Sequence, residues 1–69
     1  MSRKKESIKF EQYMNVDKKI KEYRIKNKLT QEQLADKLGL SRSFITRLEL
    51  GHYKDISYKT FKKLEKIIK

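Results

Sequence analysis

Apolar residues along the chain fall into groups with helical spacing, separated by short polar turns. The pattern is clearest in residues 30–51, TQEQLADKLGLSRSFITRLELG. Its apolar positions lie four residues apart in the first half and three apart in the second half: Leu34, Leu38, Ile45 and Leu48. Because one helical turn holds about 3.6 residues, each pair lies on one face of a helix. The pattern predicts two short helices, at about residues 31–38 and 42–50.

Residues with capping chemistry stand at the ends of both predicted helices. Thr30, with Gln33 three residues later, has the spacing of a capping box. Ser41 is suited to cap the second helix. Gly39 follows the first helix, where a left-handed residue is commonly needed. Only Leu40 lies between Gly39 and Ser41, and a turn this short makes the two helices cross steeply.

The stretch LTQEQLADKLGLSRSFITRLELG, from Leu29 to Gly51, resembles the Cro and lambda-repressor-like (XRE) helix-turn-helix family. The likeness extends more loosely over roughly residues 15–68. It implies an all-α fold of four helices, or five if an N-terminal segment is helical, that contains a helix-turn-helix. It also implies that the second helix of this motif enters the major groove of double-stranded DNA. Small helical bundles that bind no DNA can also contain two such helices, and that alternative stays open.

Two further helices are predicted, one on either side of this stretch. An inward stripe predicts the first at about residues 16–27: Val16, Ile20 and Tyr23. Asn15 or Asp17 could cap it. A second stripe predicts a helix that begins after Ser57: Phe61, Leu64 and Ile68. The sequence thus predicts four helices joined by short connections.

The 69 residues suffice for one domain with a modest core, and there is no cysteine to form a disulfide or a thiolate metal site. The net charge of +10 is unevenly spread. Residues 30–51 hold three basic and three acidic side chains, whereas residues 15–29 and 52–69 each hold six basic and two acidic ones. Basic segments around a neutral centre favour a polyanionic partner held by its phosphates. A lysine-rich composition that serves solubility explains the same excess.

The first fourteen residues, MSRKKESIKFEQYM, have no clear helical period. We predict a basic arm over the first six residues, followed by a segment that is extended or weakly helical. The arm could touch the DNA backbone or the minor groove, and a disordered tail is the alternative. We therefore divide the chain into an N-terminal arm at residues 1–14 and a helix-turn-helix DNA-binding domain at residues 15–69.

Apolar side chains near both ends of the chain need a surface to pack on. In the N-terminal segment these are Ile8, Phe10 and Tyr13, which could form a dimerisation segment. Many members of the family have a fifth helix, for which this chain has no room. We therefore expect Ile67 and Ile68 to be covered by residues 7–14 or by a second chain.

Polar residues on the outer face of the second motif helix are the candidates for contacts with DNA bases: Arg42, Ser43, Thr46 and Arg47. Arginine can donate two hydrogen bonds to guanine. The chain has 15 lysines but only four arginines, so two arginines on this face are not explained by composition. The resemblance implies that Arg42, Ser43 and Arg47 read bases. Thr46 could reach a thymine methyl group or a phosphate, and plain surface charge is the alternative for both arginines.

Contacts to DNA phosphates are predicted around the motif. The resemblance implies such a contact for Gln31, at the first helical position, and a helix N-terminus favours anions in any case. The other candidates lie at the two caps and in the loop after the second motif helix: Thr30, Ser41, His52, Tyr53 and Lys54. An ordinary surface glutamine is the alternative for Gln31.

Arg24 lies beside the inward stripe of its helix, which is unusual for an arginine. The resemblance implies that Arg24 forms a structural salt bridge with Glu49. A partly buried guanidinium needs a carboxylate, and a forked pair would hold the two helices together.

The sequence contains no Gly-rich phosphate loop, no Ser/His/Asp set and no cluster of metal ligands. We predict no enzymatic activity, no cofactor, no metal and no small-molecule ligand. Without an apolar run of membrane-spanning length or a signal peptide, a cytoplasmic protein with no membrane partner is expected. The resemblance implies a repressor or controller from a phage, plasmid or mobile element, which binds a palindromic operator as a homodimer. A protein-interaction module that retains the fold, such as an antitoxin or antirepressor, is the alternative.

Overall fold

Four α-helices and two short strands make up residues 7–69, the part of the chain that the computed structural model describes. In chain order the elements are β1 (Ser7–Lys9), α1 (Val16–Lys26), α2 (Gln31–Leu38), α3 (Arg42–Glu49), β2 (Asp55–Ser57) and α4 (Tyr58–Ile68). The all-α prediction with four helices is confirmed. The predicted bounds of α2 are met, and α1 and α3 each end one residue earlier than predicted. The predicted basic arm lies outside the described residues.

One apolar core joins the four helices and β2. Its members are at most 5% exposed: Val16, Ile20, Leu34, Ala35, Ile45, Leu48, Ile56, Phe61, Leu64 and Ile68. They are the stripe positions of the sequence pattern, apart from Ala35 and Ile56, while Tyr23 and Leu38 are half-buried at its edge. Truncating a buried leucine or isoleucine to alanine typically costs about 2–5 kcal/mol, so the helices are held mainly by this core.

Side-chain caps begin both helices of the central motif, as predicted. Thr30 and Gln33 form a capping box: Thr30 Oγ1 accepts from the Gln33 N–H at 3.0 Å, and Gln33 Oε1 accepts from the Thr30 N–H at 2.9 Å. Ser41 Oγ accepts from the Phe44 N–H at 3.1 Å. The start of α1 differs from the prediction. Asn15 occupies the N-cap position in a left-handed conformation, and its side chain makes no capping hydrogen bond.

The first three helices end in one hydrogen-bond motif, which has a left-handed residue just after the helix: Lys28, Gly39 and Gly51. In each case the N–H groups of that residue and of the next one donate to carbonyls of the last helical turn. Gly39 and Gly51, with φ of 71° and 76°, adopt this conformation without a steric cost. Lys28 has φ of 57°, a left-handed conformation that is sterically unfavourable for a residue with a Cβ atom.

Replacing Lys28 with glycine is expected to raise the free energy of unfolding by about 0.5–1 kcal/mol, because glycine adopts this backbone conformation without strain. Urea denaturation followed by circular dichroism measures the change. Lys21→Gly is the matched control, since it removes the same side chain from an exposed position inside α1. There glycine is expected to cost about 1 kcal/mol. A loss of stability in both variants would contradict the prediction.

Residues 7–14, the described part of the N-terminal segment, are part of the folded domain. β1 pairs antiparallel with β2, with Ile8 opposite Ile56 at the centre of the register. After β1, the Phe10 N–H donates to the Lys54 carbonyl at 2.8 Å and a short 3-10 turn follows at Phe10–Gln12. The segment is therefore extended and then weakly helical, which are the two conformations that the sequence left open.

This segment packs its apolar side chains against the core of its own chain: Ile8, Phe10 and Tyr13. The ring centroid of Tyr13 lies 5.6 Å from that of Phe61 on α4. Ile68 is 0% exposed and Ile67 is half-buried, so Ile68 is covered within the single chain. Packing on their own chain leaves these side chains less surface for a second copy.

Lysines on α1 and α4 donate to acceptors within the domain. Lys19 Nζ donates to the Ile68 carbonyl at 2.8 Å, and Lys63 Nζ donates to the Gly39 carbonyl at 3.1 Å. Such bonds supply a donor to carbonyls at helix ends, which accept no hydrogen bond from within their own helix. These two lysines therefore have structural contacts as well as charge.

Glu65 on α4 accepts hydrogen bonds of 2.8 Å from both Lys62 and Lys69. These two hydrogen bonds lower the pKa of Glu65 from its usual 4.5 to about 2, and the bond from Lys62 has the larger effect. A lowered pKa means that the stabilisation is present above pH 4.5 and is lost as the pH falls through about 2. Both lysine side chains are more than half exposed, so solvent keeps this contribution small.

Candidate nucleic-acid interface

Four polar side chains of α3 line one open groove on the outer surface of the domain, called here the α3 groove: Arg42, Ser43, Thr46 and Arg47. Ser41 caps the start of α3, and these positions face outward because Ile45 and Leu48 on the opposite face are buried in the core. Residues three or four apart share a helix face, which brings all four side chains together. They are the predicted base-contacting residues.

The two arginines of the α3 groove are exposed. Within residues 7–69, neither guanidinium makes a hydrogen bond or an ion pair. Each therefore has five N–H donors for a ligand, in the planar geometry that suits guanine or a phosphate. Arg42 also borders a second cleft at the N-terminus of α2, which it shares with Arg24, Leu29, Thr30, Gln31 and Glu32.

Arg24 on α1 and Glu49 on α3 form a forked ion pair, the pair that the resemblance implied. Arg24 Nε donates to Oε2 of Glu49 at 2.7 Å, and Nη2 donates to Oε1 at 3.0 Å. The two side chains are only 17% and 5% exposed. The hydrogen bonds to Glu49 raise the pKa of Arg24, against the opposing effect of burial, so the guanidinium stays charged. Arg24 Nη1 also donates to the Leu29 carbonyl at 3.1 Å, which ties the α1–α2 turn to the pair.

Gln31 extends this pair to the α3 groove. Its Nε2 donates to Glu49 Oε1 at 3.2 Å, and its Oε1 accepts from the Thr46 hydroxyl at 2.9 Å. A carboxylate only accepts hydrogen bonds, so the amide nitrogen must face Glu49 and the amide oxygen must face Thr46. Arg24, Glu49, Gln31 and Thr46 thus form one interhelix network. The sequence pattern did not predict the two bonds of Gln31, because periodicity carries no information on contacts between helices.

The predicted phosphate contacts at the helix caps have suitable chemistry. Thr30 and Ser41 are exposed, and each uses a lone pair of its hydroxyl oxygen for capping. The hydroxyl proton can therefore still be donated to a phosphate oxygen. Gln31 likewise has a second amide N–H beyond the one given to Glu49. These three residues surround the N-termini of α2 and α3, where the helix dipole favours an anion.

The loop after α3 contains the other three predicted phosphate contacts, and they differ in exposure. His52 and Lys54 are exposed, while Tyr53 is half-buried with its ring centroid 4.8 Å from that of Phe44. The backbone of the loop is held at both ends, because the His52 N–H donates to the Arg47 carbonyl and the Lys54 carbonyl accepts from the Phe10 N–H just after β1. Tyr53 therefore has a packing role that the sequence did not show.

Residues 7–69 contain no group of three or more His, Asp or Glu side chains that could hold a metal ion. None of their helices is long and apolar enough to cross a membrane.

Two capped helices joined by a tight turn, with one buried face and one polar outer face, define a helix-turn-helix protein. The sequence matches the model of the helix-turn-helix family over residues 20–69, and the chain therefore belongs to this family, in its Cro and lambda-repressor-like (XRE) branch. It is a DNA-binding helix-turn-helix regulator. A search of curated proteins finds no match to this chain. The family match leaves out β1 and the first residues of α1.

Proposed function

We propose that this protein is a sequence-specific transcriptional regulator, a repressor or controller, that places α3 in the major groove of double-stranded DNA. The α3 groove carries the proposal, because it puts two guanidinium groups that have no protein partner among residues 7–69 beside two hydroxyl side chains. Each bidentate contact between arginine and guanine is worth about 1–3 kcal/mol of discrimination. In this proposal Arg42, Ser43 and Arg47 contact base edges.

Phosphate contacts supply most of the affinity in this proposal. Gln31, Thr30 and Ser41 hold the backbone at the N-termini of α2 and α3, and the loop after α3 holds it with His52, Tyr53 and Lys54. The segments around the neutral motif carry the net positive charge of the chain. Because phosphate contacts release counterions, the affinity should fall steeply as the salt concentration rises.

A homodimer on a palindromic operator is the second part of the proposal. One α3 presents only four polar side chains to DNA, enough for a few base pairs. A second copy related by two-fold symmetry would double these contacts and place its own α3 in the next major groove, about 34–36 Å away. The proposed regulator belongs to a phage, plasmid or mobile element and acts in the cytoplasm, a proposal that rests on the family.

Selection of bound sequences from random duplex DNA tests both parts of the proposal. We expect enrichment of one palindromic sequence, bound with a strong salt dependence. Sedimentation of the protein with the selected duplex is expected to give two copies per site. A failure to enrich any sequence would overturn sequence-specific binding, and one copy per site would overturn only the dimer.

A further inference from the structure

Thr46 differs from the other residues of the α3 groove because its hydrogen-bond donor is already used inside the protein. Its Oγ1 lies 2.9 Å from Oε1 of Gln31. The amide oxygen carries no hydrogen, so the proton between the two oxygens belongs to Thr46. The Thr46 hydroxyl therefore has no proton left to donate to a base or to a phosphate while this bond is intact.

The rest of the interhelix network keeps the Gln31 amide in this orientation. Its nitrogen is bonded to Glu49 at 3.2 Å, and Glu49 is itself held by two N–H groups of Arg24. Turning the amide over would place its oxygen against the carboxylate of Glu49. The bond to Thr46 is therefore fixed by charge-assisted contacts on the side of the network away from the α3 groove.

The same bond fixes the direction of the Thr46 side chain. Threonine is branched at Cβ and has few χ1 rotamers, so a hydroxyl held by Gln31 also sets the position of the methyl group. Thr46 still lines the α3 groove and is only half-buried. Apart from an oxygen that can only accept, the group that Thr46 can offer to a ligand in the groove is its apolar methyl group.

We infer that Thr46 recognises the 5-methyl group of a pyrimidine in the major groove. This inference rests on the proposed function, in which α3 lies in that groove. Thymine presents a C5-methyl group there, and the Thr methyl is among the side-chain groups that contact it. A 5-methylcytosine base presents the same group at the same place. The arginines of the α3 groove would recognise neighbouring bases by donating hydrogen bonds, so a half-site combines guanine contacts with one methyl contact.

Base analogues in the selected operator test this inference. Each thymine is replaced in turn by deoxyuridine, which lacks only the 5-methyl group, and the dissociation constants are compared. One position per half-site is expected to weaken binding by roughly three- to tenfold, the effect of losing one buried methyl group. If that position is a cytosine instead, 5-methylcytosine should strengthen binding by a similar factor.

Two variants of Thr46 separate its methyl group from its hydroxyl. Thr46→Ser keeps the bond to Gln31 and removes the methyl group, so the ratio of the thymine and deoxyuridine affinities should fall to about one. Thr46→Val keeps a methyl group and removes the hydroxyl, so the ratio should persist even if the overall affinity falls. Circular dichroism and urea denaturation confirm that both variants fold.

The opposite pattern, with the ratio kept by Thr46→Ser and lost by Thr46→Val, would overturn the inference, because the hydroxyl would then be the recognising group. An operator in which no pyrimidine methyl group affects the affinity would also overturn it, while leaving the proposed function in place. The proposed function fails separately, if the unaltered protein selects no sequence at all.

Discussion

Replacing Glu49 with alanine is expected to lower the free energy of unfolding by about 3 kcal/mol. Glu49 accepts hydrogen bonds from two N–H groups of Arg24 and from Gln31, and its side chain is 5% exposed. Its removal leaves the Arg24 guanidinium charged and largely buried without a counterion. Breaking a buried ion pair in this way typically costs about 3–5 kcal/mol, and the 17% exposure of Arg24 places the expectation at the lower end.

Urea denaturation measures this loss, with Glu65→Ala as the control. Glu65 also accepts two hydrogen bonds from cationic side chains, but those lysines are more than half exposed. The control is therefore expected to change the urea midpoint only slightly. A double-mutant cycle with Arg24→Ala isolates the energy of the pair itself. Equal small effects of Glu49→Ala and Glu65→Ala would show that the buried pair does not hold α1 to α3.

The protein is expected to lose its preference for one base of the operator when either arginine of the α3 groove is removed. Arg47→Ala or Arg42→Ala should reduce discrimination between the operator and single-base variants at one position by about 1–3 kcal/mol, which is roughly 5- to 150-fold. The reason is that each guanidinium is free of protein partners within residues 7–69 and can donate two parallel bonds to guanine. Competition binding with single-base operator variants measures the loss.

Lys54→Ala is the matched control, since it removes one positive charge from the exposed loop beside the α3 groove. As a phosphate contact, Lys54 should matter equally for all sequences, and its loss should reduce the slope of log affinity against log salt by about one. If Arg47→Ala behaves in the same way as this control, Arg47 contacts phosphate and does not read a base.

The helices could be predicted from the sequence because their signals are local. The capping box at Thr30, the cap at Ser41 and the glycine at residue 39 each act within one helical turn. The end of α1 was not marked in this way, because Lys28 takes the conformation that glycine usually fills. Hydrogen bonds to the carbonyls of Arg24 and Ile25 hold that turn, and neither bond has a signature in residue type.

Contacts between distant residues were largely beyond the sequence pattern. The pairing of β1 with β2 involves strands of only three residues, too short to give an alternation that could be recognised. Nothing in the sequence pattern predicted the contact between Tyr53 and Phe44. The ion pair of Arg24 with Glu49 could be predicted only from the resemblance to a family, because the spacing of two charged residues does not show that they are in contact.

The candidate site was predictable as a set of positions but not as a set of hydrogen bonds. Helical spacing placed Arg42, Ser43, Thr46 and Arg47 on one face, and the structure has them in one groove. The sequence could not show that the Thr46 hydroxyl donates its hydrogen bond to Gln31, although this bond decides what Thr46 can offer to DNA. The role of each residue on this helix face can be assigned only when its hydrogen bonds to the neighbouring helices are known.

The pairing of β1 with β2 also has a consequence for the order in which the domain folds and opens. The two strands enclose α1, α2 and α3 in a single loop of the chain, whereas the contacts between α2 and α3 are close in sequence. Closing a long loop is entropically unfavourable until the enclosed elements are in place, so we expect the strands to pair last. In native-state hydrogen exchange, the paired amides of β1 and β2 should then open before those of α2 and α3. Residues 7–14 would then detach from the domain while the α3 groove stays folded.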